Sequence, residues 1–407
     1  MLKEKPKTKK TKKWIKAHHG IVRNIAYGTL GLYSKLKYGI KVEKFKGQGN
    51  RPYLILFNHQ TAFDQFFVGM AFKGPVYYVA SEDLFSMGWV SKLLRWAVAP
   101  IPIKKQTTDL NAVMNCIRVA REGGTIAIAP EGNRTFSGET VYMSDAIAPL
   151  AKKLKLPIAL YRLEGGYGVQ PRWSDVVRKG KMRGYVSKVI EPEDYAKMSN
   201  EELFEIIKRE LYVDESVVDA CFRSKKRAEY LERAMYVCPF CGLTTFESHG
   251  NEITCKTCNR TVTYGEDKSL KGVGFEFPFP FVKQWYQHQQ DVVNALDVTA
   301  HTEDPLFTDR VDLSEVIVYQ NKKPLAQNVT VKLYADRIVL EDRDEVFPFG
   351  EINAITVLGK NKLNIYYQKR VYQFKGDARF NALKYVNLCY RYKNHEKGER
   401  YGEFLGL

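Results

Sequence analysis

His59 and Asp64 stand in one short polar stretch, Asn58-His59-Gln60-Thr61-Ala62-Phe63-Asp64, and a second, Pro130-Glu131-Gly132-Asn133-Arg134-Thr135, follows about 70 residues later. A neutral imidazole can remove a proton near pH 7. An Asp hydrogen-bonded to its other ring nitrogen fixes the tautomer and steadies the imidazolium that forms. No Ser or Cys stands beside the pair, so the group to be activated is a hydroxyl of the substrate. Arg134, together with Lys104 or Lys105, could hold an anionic head group, the guanidinium as a planar fork and the ammonium as a point charge. Glu131 is open to three roles: it could position Arg134, meet an acceptor hydroxyl, or make a buried salt bridge beneath the site. Gly132 allows positive φ or a close approach of backbone to ligand.

Each motif follows a short, strongly apolar run, Tyr53-Leu54-Ile55-Leu56-Phe57 before the first and Thr125-Ile126-Ala127-Ile128-Ala129 before the second. Such runs, closed by turn residues, read as buried parallel strands. The motifs then sit in loops at the carboxyl ends of their strands, where open α/β sheets bind ligands. Between them the pattern alternates: a helix with Phe66, Phe67, Met70 and Ala71, a strand Val76–Ala80, a helix over 87–97 and a strand Ile101–Ile103. A helix then places Leu110, Val113, Met114, Ile117 and Ala120 on one face, N-capped by Asp109 and ended by Gly123-Gly124. A helix near 144–155, a strand at 157–162 and a helix 201–212 close the region. The turn Glu164-Gly165-Gly166-Tyr167-Gly168 lacks a Gly-Lys-Ser ending and is not a nucleotide cradle. Strand–helix–strand order implies an α/β fold with a largely parallel central sheet and flanking helices.

The His-x4-Asp spacing, the Pro-Glu-Gly-x-Arg segment and the element order between them resemble glycerolipid acyltransferases of the 1-acylglycerol-3-phosphate acyltransferase type. The resemblance covers residues 40–215 and implies that His59 is the general base, oriented by Asp64. It further implies an acyl-CoA or acyl-carrier-protein thioester as donor, and a glycerol-phosphate or lysophospholipid as acceptor. Glu131, Gly132, Arg134, Lys104 and Lys105 are then the acceptor-binding candidates. The sequence departs from the family's pattern in three places. Ile101-Pro102-Ile103-Lys104-Lys105 stands where the family's middle motif ends in Arg. Asn133 and Thr135 stand where Thr and Ser are common, and Leu156-Pro157-Ile158-Ala159-Leu160 replaces a Val-Pro-Ile-Val-Pro type segment.

The chain has 407 residues, with 63 basic against 46 acidic giving +17, and 44% apolar residues. That length suits two or three domains. Eight Lys and one Glu among residues 1–16 put a net +7 on that arm. It suits an anionic membrane surface, nucleic acid, or a solubilising tail. Residues 14–40 read as an amphipathic helix through Ile21, Ile25, Leu32 and Leu36, lying in a bilayer interface or packed on the domain. No apolar run of about 18 residues exists to span a bilayer, and no apolar core follows the Lys-rich start as a signal peptide would require.

Cys238-Pro239-Phe240-Cys241 and Cys255-Lys256-Thr257-Cys258 are separated by 13 residues. Two such knuckles can converge four thiolates on a tetrahedral, structural Zn²⁺; the alternative is free thiols in a β-hairpin. Cys116, Cys221 and Cys389 lie in apolar, helix-like contexts and read as core. Metal-spaced cysteines indicate a reducing compartment, hence a cytoplasmic location at the membrane face. Phe275-Glu276-Phe277-Pro278-Phe279-Pro280-Phe281 reads as a segment packed between domains or an exposed apolar patch. Beyond about 305, short strands (329–334 and 338–340 as a hairpin, then 352–357, 363–367 and 371–374) and a terminal helix resemble, by order alone, a pleckstrin-homology-like module.

The expected division is a basic arm and membrane-surface helix (1–40), an acyltransferase domain (41–215), a linker helix (216–234) and a zinc ribbon (235–266). An aromatic, Pro-rich linker with a helix (267–304) and a β domain (305–407) follow. The expected function is acyl transfer from a thioester to a phosphorylated glycerol or lysophospholipid at an anionic membrane, with no nucleic-acid partner. The alternative is a zinc-ribbon scaffold that recognises nucleic acid or protein and carries an idle acyltransferase-like fold; salt-dependent nucleic-acid binding without acyl transfer would favour it.

Overall fold

The computed structural model describes residues 13–104, 109–217, 220–300 and 303–399. The basic arm up to residue 12 and Lys105 lie outside the described residues. The first region runs α1 (Ala17–Tyr38), β1 (Ile40–Val42), β2 (Leu54–Phe57), α2 (Asp64–Ala71), β3 (Val76–Ser81), α3 (Trp89–Ala97) and β4 (Ile101–Ile103). It continues with α4 (Leu110–Arg121), β5 (Thr125–Ile128), α5 (Ile147–Leu154), β6 (Ile158–Glu164), α6 (Gly166–Val169), β7 (Met182–Ile190), α7 (Pro192–Tyr195) and α8 (Asn200–Leu211). The seven strands order β1-β7-β6-β2-β5-β3-β4. Every neighbouring pair is parallel except β6 with β7. The two motif-bearing strands, β2 and β5, are therefore central and adjacent.

Period-two alternation assigns the strand side chains to two cores. Leu54, Leu56, Ile126, Ile158 and Leu160 face α4, α5 and α8, while Tyr53, Ile55, Phe57, Ala127, Ala159 and Tyr161 face the α2 side. Both layers are dry, which explains why β2 reads as an unbroken apolar run. The Asp109 cap forms as expected, accepting from the N–H groups of Asn111 and Ala112 at 3.0 and 3.2 Å. The α4 face is rotated from the expected one: Ala112, Cys116 and Val119 are buried, whereas Leu110 and Met114 are exposed. Of the expected stripe, Ile117 and Ala120 do pack against the core, while the small Ala112 and Cys116 take the closest approach to the sheet.

A cysteine-bearing unit follows, with β8 (Val237–Cys238), β9 (Gly242–Leu243), β10 (Phe246–His249), β11 (Glu252–Cys255), β12 (Thr261–Tyr264), β13 (Leu270–Gly272) and then α9 (Val282–Ala295). Among its described residues, the stretch expected as a linker helix is irregular, with a single 3-10 turn at Leu231–Arg233, and Cys221 within it is exposed and non-helical. Phe275, Phe277 and Phe279 pack as a ladder, Phe277 meeting Trp285 edge-on at 5.1 Å.

The C-terminal region is antiparallel: β14 (Phe307–Glu315), β15 (Lys323–Leu333), β16 (Arg337–Leu340), β17 (Glu345–Pro348), β18 (Ala354–Leu358), β19 (Lys362–Tyr367) and β20 (Arg370–Lys375), closed by α10 (Leu383–Glu396). The strand order is β17-β16-β15-β14-β20-β19-β18, so β18 is an edge. Its five residues are nonetheless all buried. They are covered by the first region: Arg172 donates to Val357 O at 3.1 Å, and Asn133 donates to Thr356 Oγ1 at 3.5 Å. Covering is one of the ways folds protect an open edge.

Candidate active site

His59 and Asp64 come together because the loop after β2 folds back onto the first turn of α2. Asp64 is fully buried, and its carboxylate collects five hydrogen bonds. Oδ2 accepts from the N–H groups of Gln60 (2.6 Å) and Thr61 (2.9 Å) and faces His59 Nδ1 at 2.7 Å. Oδ1 accepts from Thr61 N–H at 2.9 Å and Thr61 Oγ1 at 2.6 Å. A carboxylate so enclosed is an acceptor only, so the shared proton belongs on Nδ1 and the nitrogen able to take another is Nε2. The His59 side chain is 26% exposed against 0% for Asp64, which leaves the imidazole reachable and its partner dry.

The loop is pinned from below. Asn58 exchanges two hydrogen bonds with Leu163 on β6, at 2.8 and 2.7 Å. Gln60 Oε1 accepts from Tyr167 N–H at 3.0 Å. The Gly165-Gly166 turn has a structural reason: a Cβ on Gly166 would stand 2.4 Å from Gln60 Cβ. The glycines admit the backbone against the His loop, and the turn continues into α6.

The second motif closes over the first. Glu131 Oε1 accepts the backbone N–H of His59 at 2.8 Å. Burial pushes the Glu131 carboxyl up to about 8, against the lowering effect of that bond. The bond gives Glu131 a role outside the three the sequence left open: it anchors the His59 backbone. Gly132 has φ +70°, which a side chain would strain. Arg134 is half-buried, its Nη1 buried without a hydrogen-bond partner. Burial lowers its pKa, and the nearby Asp64 carboxylate opposes this. A desolvated guanidinium beside the His–Asp pair, with donor capacity unspent, suits an anionic group. Lys104 is exposed at the end of the outer strand β4, its N–H held by Asp109 at 2.9 Å.

Two residues that sequence reasoning passed over belong here. Arg172 donates to Arg134 O at 2.9 Å and to Asn133 Oδ1 at 3.3 Å. Glu215 accepts from Tyr167 N–H at 2.9 Å and from Gly165 N–H, holding the turn beneath the site. Neither carried a motif; the only sign for Arg172 was a charge set between Pro171 and Trp173.

The four cysteines converge as the spacing predicted. Their sulfurs lie within 4.8 Å of one another, with Cys238–Cys258 at 3.8 Å and Cys241–Cys255 at 3.5 Å. A tetrahedral ion with Zn–S near 2.3 Å sets sulfurs about 3.8 Å apart, so the group could bind a metal with little adjustment. Four thiolates leave no open coordination position.

Residues 39–160 match the Acyltransferase family model. The chain is 22% identical over 169 residues to a 1-acyl-sn-glycerol-3-phosphate acyltransferase of Bacillus subtilis, spanning 41% of this chain and 81% of that protein. It is 20% identical over 182 residues to a chloroplastic 1-acyl-sn-glycerol-3-phosphate acyltransferase of Brassica napus, spanning 43% of this chain and 51% of that one. Among solved structures, the 1-acyl-sn-glycerophosphate (LPA) acyltransferase PlsC of Thermotoga maritima aligns at 19% identity with a TM-score of 0.39, over 47% of this chain and 75% of that one.

Proposed function

From an acyltransferase-family domain at residues 39–160, we propose that the protein transfers a fatty acyl group from an acyl-CoA or acyl-carrier-protein thioester to a hydroxyl of a glycerol-phosphate or lysophospholipid acceptor, in phospholipid synthesis or remodelling. The observation that carries this reading is the buried Asp64 carboxylate holding His59 at 2.7 Å beside the partnerless Nη1 of Arg134. His59 Nε2 takes the acceptor hydroxyl's proton as the oxygen attacks the thioester carbonyl. The new C–O bond forms, the C–S bond breaks, and the proton passes from the imidazolium to the leaving thiolate. Arg134 holds the acceptor's phosphate, with Lys104 and Lys105 as further candidates. The idle-fold alternative is disfavoured, because a site without work needs neither five hydrogen bonds on Asp64 nor a desolvated arginine beside it.

The membrane enters through the apolar face of α1. Ile25 and Leu36 are 67% and 76% exposed, and on α3 Trp89 is 73% exposed. No helix among the described residues is long and apolar enough to cross a membrane. We read this outward face as lying in a bilayer interface, on the cytoplasmic side. Zinc in the ribbon is structural in this scheme, and its four thiolates take no part in the transfer.

The test is thiol release from a long-chain acyl-CoA in the presence of a lysophospholipid panel. Acceptor-dependent release is expected from the wild type, lost in His59→Ala. In Asp64→Asn, which keeps the volume but donates where the carboxylate accepted, it should fall about a thousandfold or more. Full activity in His59→Ala would end the mechanism.

A further inference from the structure

Arg172 is 3% exposed, and the acceptors it reaches, Arg134 O, Asn133 Oδ1 and Val357 O, are all neutral oxygens. Its guanidinium lies 4.2 Å from the Phe136 ring centroid. Burial and the neighbouring Arg134 charge push its pKa down to about 9. Two desolvated cations side by side, one buried and bonded to neutral oxygens, are a costly arrangement for packing alone. The geometry gives them a purpose. Two of the acceptors belong to the Pro130–Thr135 loop, and the third belongs to edge strand β18 of the other sheet. The guanidinium reaches the loop through Nη1 and Nη2 and β18 through Nη2, a fixed planar fork that a flexible ammonium holds less well. Asn133 reinforces the link through Thr356.

We propose that Arg172 is a positioning residue that ties the loop carrying Arg134 to strand β18, so that the C-terminal β domain sets the aim of Arg134 at the acceptor's anionic group. This rests on the acyl-transfer reading for what Arg134 binds, and on the hydrogen bonds alone for how the loop is held. The C-terminal domain in consequence braces the loop that carries Arg134.

Steady-state kinetics of the full chain test this with Arg172→Lys, Arg172→Gln and, as a control, Lys360→Ala. The control removes a different cross-domain contact, Lys360 Nζ to Asp175 Oδ1 at 2.6 Å. Arg172→Gln should raise the acceptor KM about tenfold or more while kcat and the acyl-CoA KM stay within about threefold, since a misaimed loop weakens one substrate only. Arg172→Lys, which folds if Gln does not, should fall between. Lys360→Ala should leave both KM values in place. An unchanged acceptor KM in both Arg172 variants, or the same change in Lys360→Ala, overturns the proposal. Calorimetric binding of glycerol 3-phosphate separates this proposal from the reaction it rests on. Binding lost in both Arg134→Ala and Arg172→Gln supports the clamp even if no acyl transfer is seen. Binding lost only in Arg134→Ala overturns the clamp and spares the site, and a wild type that binds neither glycerol 3-phosphate nor a lysophospholipid overturns both.

Discussion

Glu131 Oε1 and the backbone N–H of His59 are joined by a 2.8 Å hydrogen bond that spans 72 residues of sequence. It ties the loop after β5, which carries Arg134, to the loop after β2, which carries His59. The same carboxyl is buried and raised to about 8 from an ordinary 4.5. A group whose folded pKa is raised contributes its stability in full below the unfolded value and loses it as pH climbs through the folded one. Glu131→Gln keeps the accepting oxygen and cannot ionise. Its melting temperature relative to wild type should therefore rise steadily between about pH 4.5 and about pH 8. A difference that stays flat over that range would show Glu131 ionised in the folded protein throughout.

Metal removal should be felt across the second half of the chain. Elemental analysis should find close to one zinc per chain. A strong chelator should lower the melting temperature by several degrees or more, because binding energy in such a unit is folding energy. Cys255→Ser should behave like the chelated protein. A chain that binds no zinc, or melts unchanged after chelation, would leave the four sulfurs as free thiols.

The apolar face of α1 and α3 gives a prediction free of folding effects. Ile25, Leu36 and Trp89 are exposed, so replacing each by Glu should leave the melting temperature within a few degrees. Partition onto anionic vesicles should drop about tenfold per substitution, the order expected for withdrawing one large apolar side chain from lipid. Vesicle binding that survives all three together would remove this face from the membrane contact.

That His59, Asp64, Glu131 and Arg134 lie together was legible in the sequence; what holds their loops was not. His59, Asp64, Glu131 and Arg134 were legible because each follows a short apolar strand, and adjacent parallel strands deliver their loops to one edge. Asn58, Arg172 and Glu215 were not, because what a polar side chain meets across 48 or 185 residues is decided by tertiary packing. Strand β14 escaped notice for a related reason. Its inward positions include Asp309, tolerated there because the buried Lys384 pairs with it at 2.7 Å. Strand β7, half-exposed and polar along much of its length, carried too weak an alternation to register. The outward turn of Leu110 on α4 shows the limit of periodicity: it finds an apolar stripe without saying which stripe the sheet will choose.

The contact between Asn133 and Thr356 spans 223 residues. A ribosome adding about 5–20 residues per second needs roughly 10–45 s to cover that interval. During that time the first region can already have folded and paired His59 with Asp64, yet the loop bearing Arg134 still lacks its outer brace. A nascent chain would thus carry its proton-transfer pair well before it could aim at an acceptor, and competence would arrive only with the last strands made.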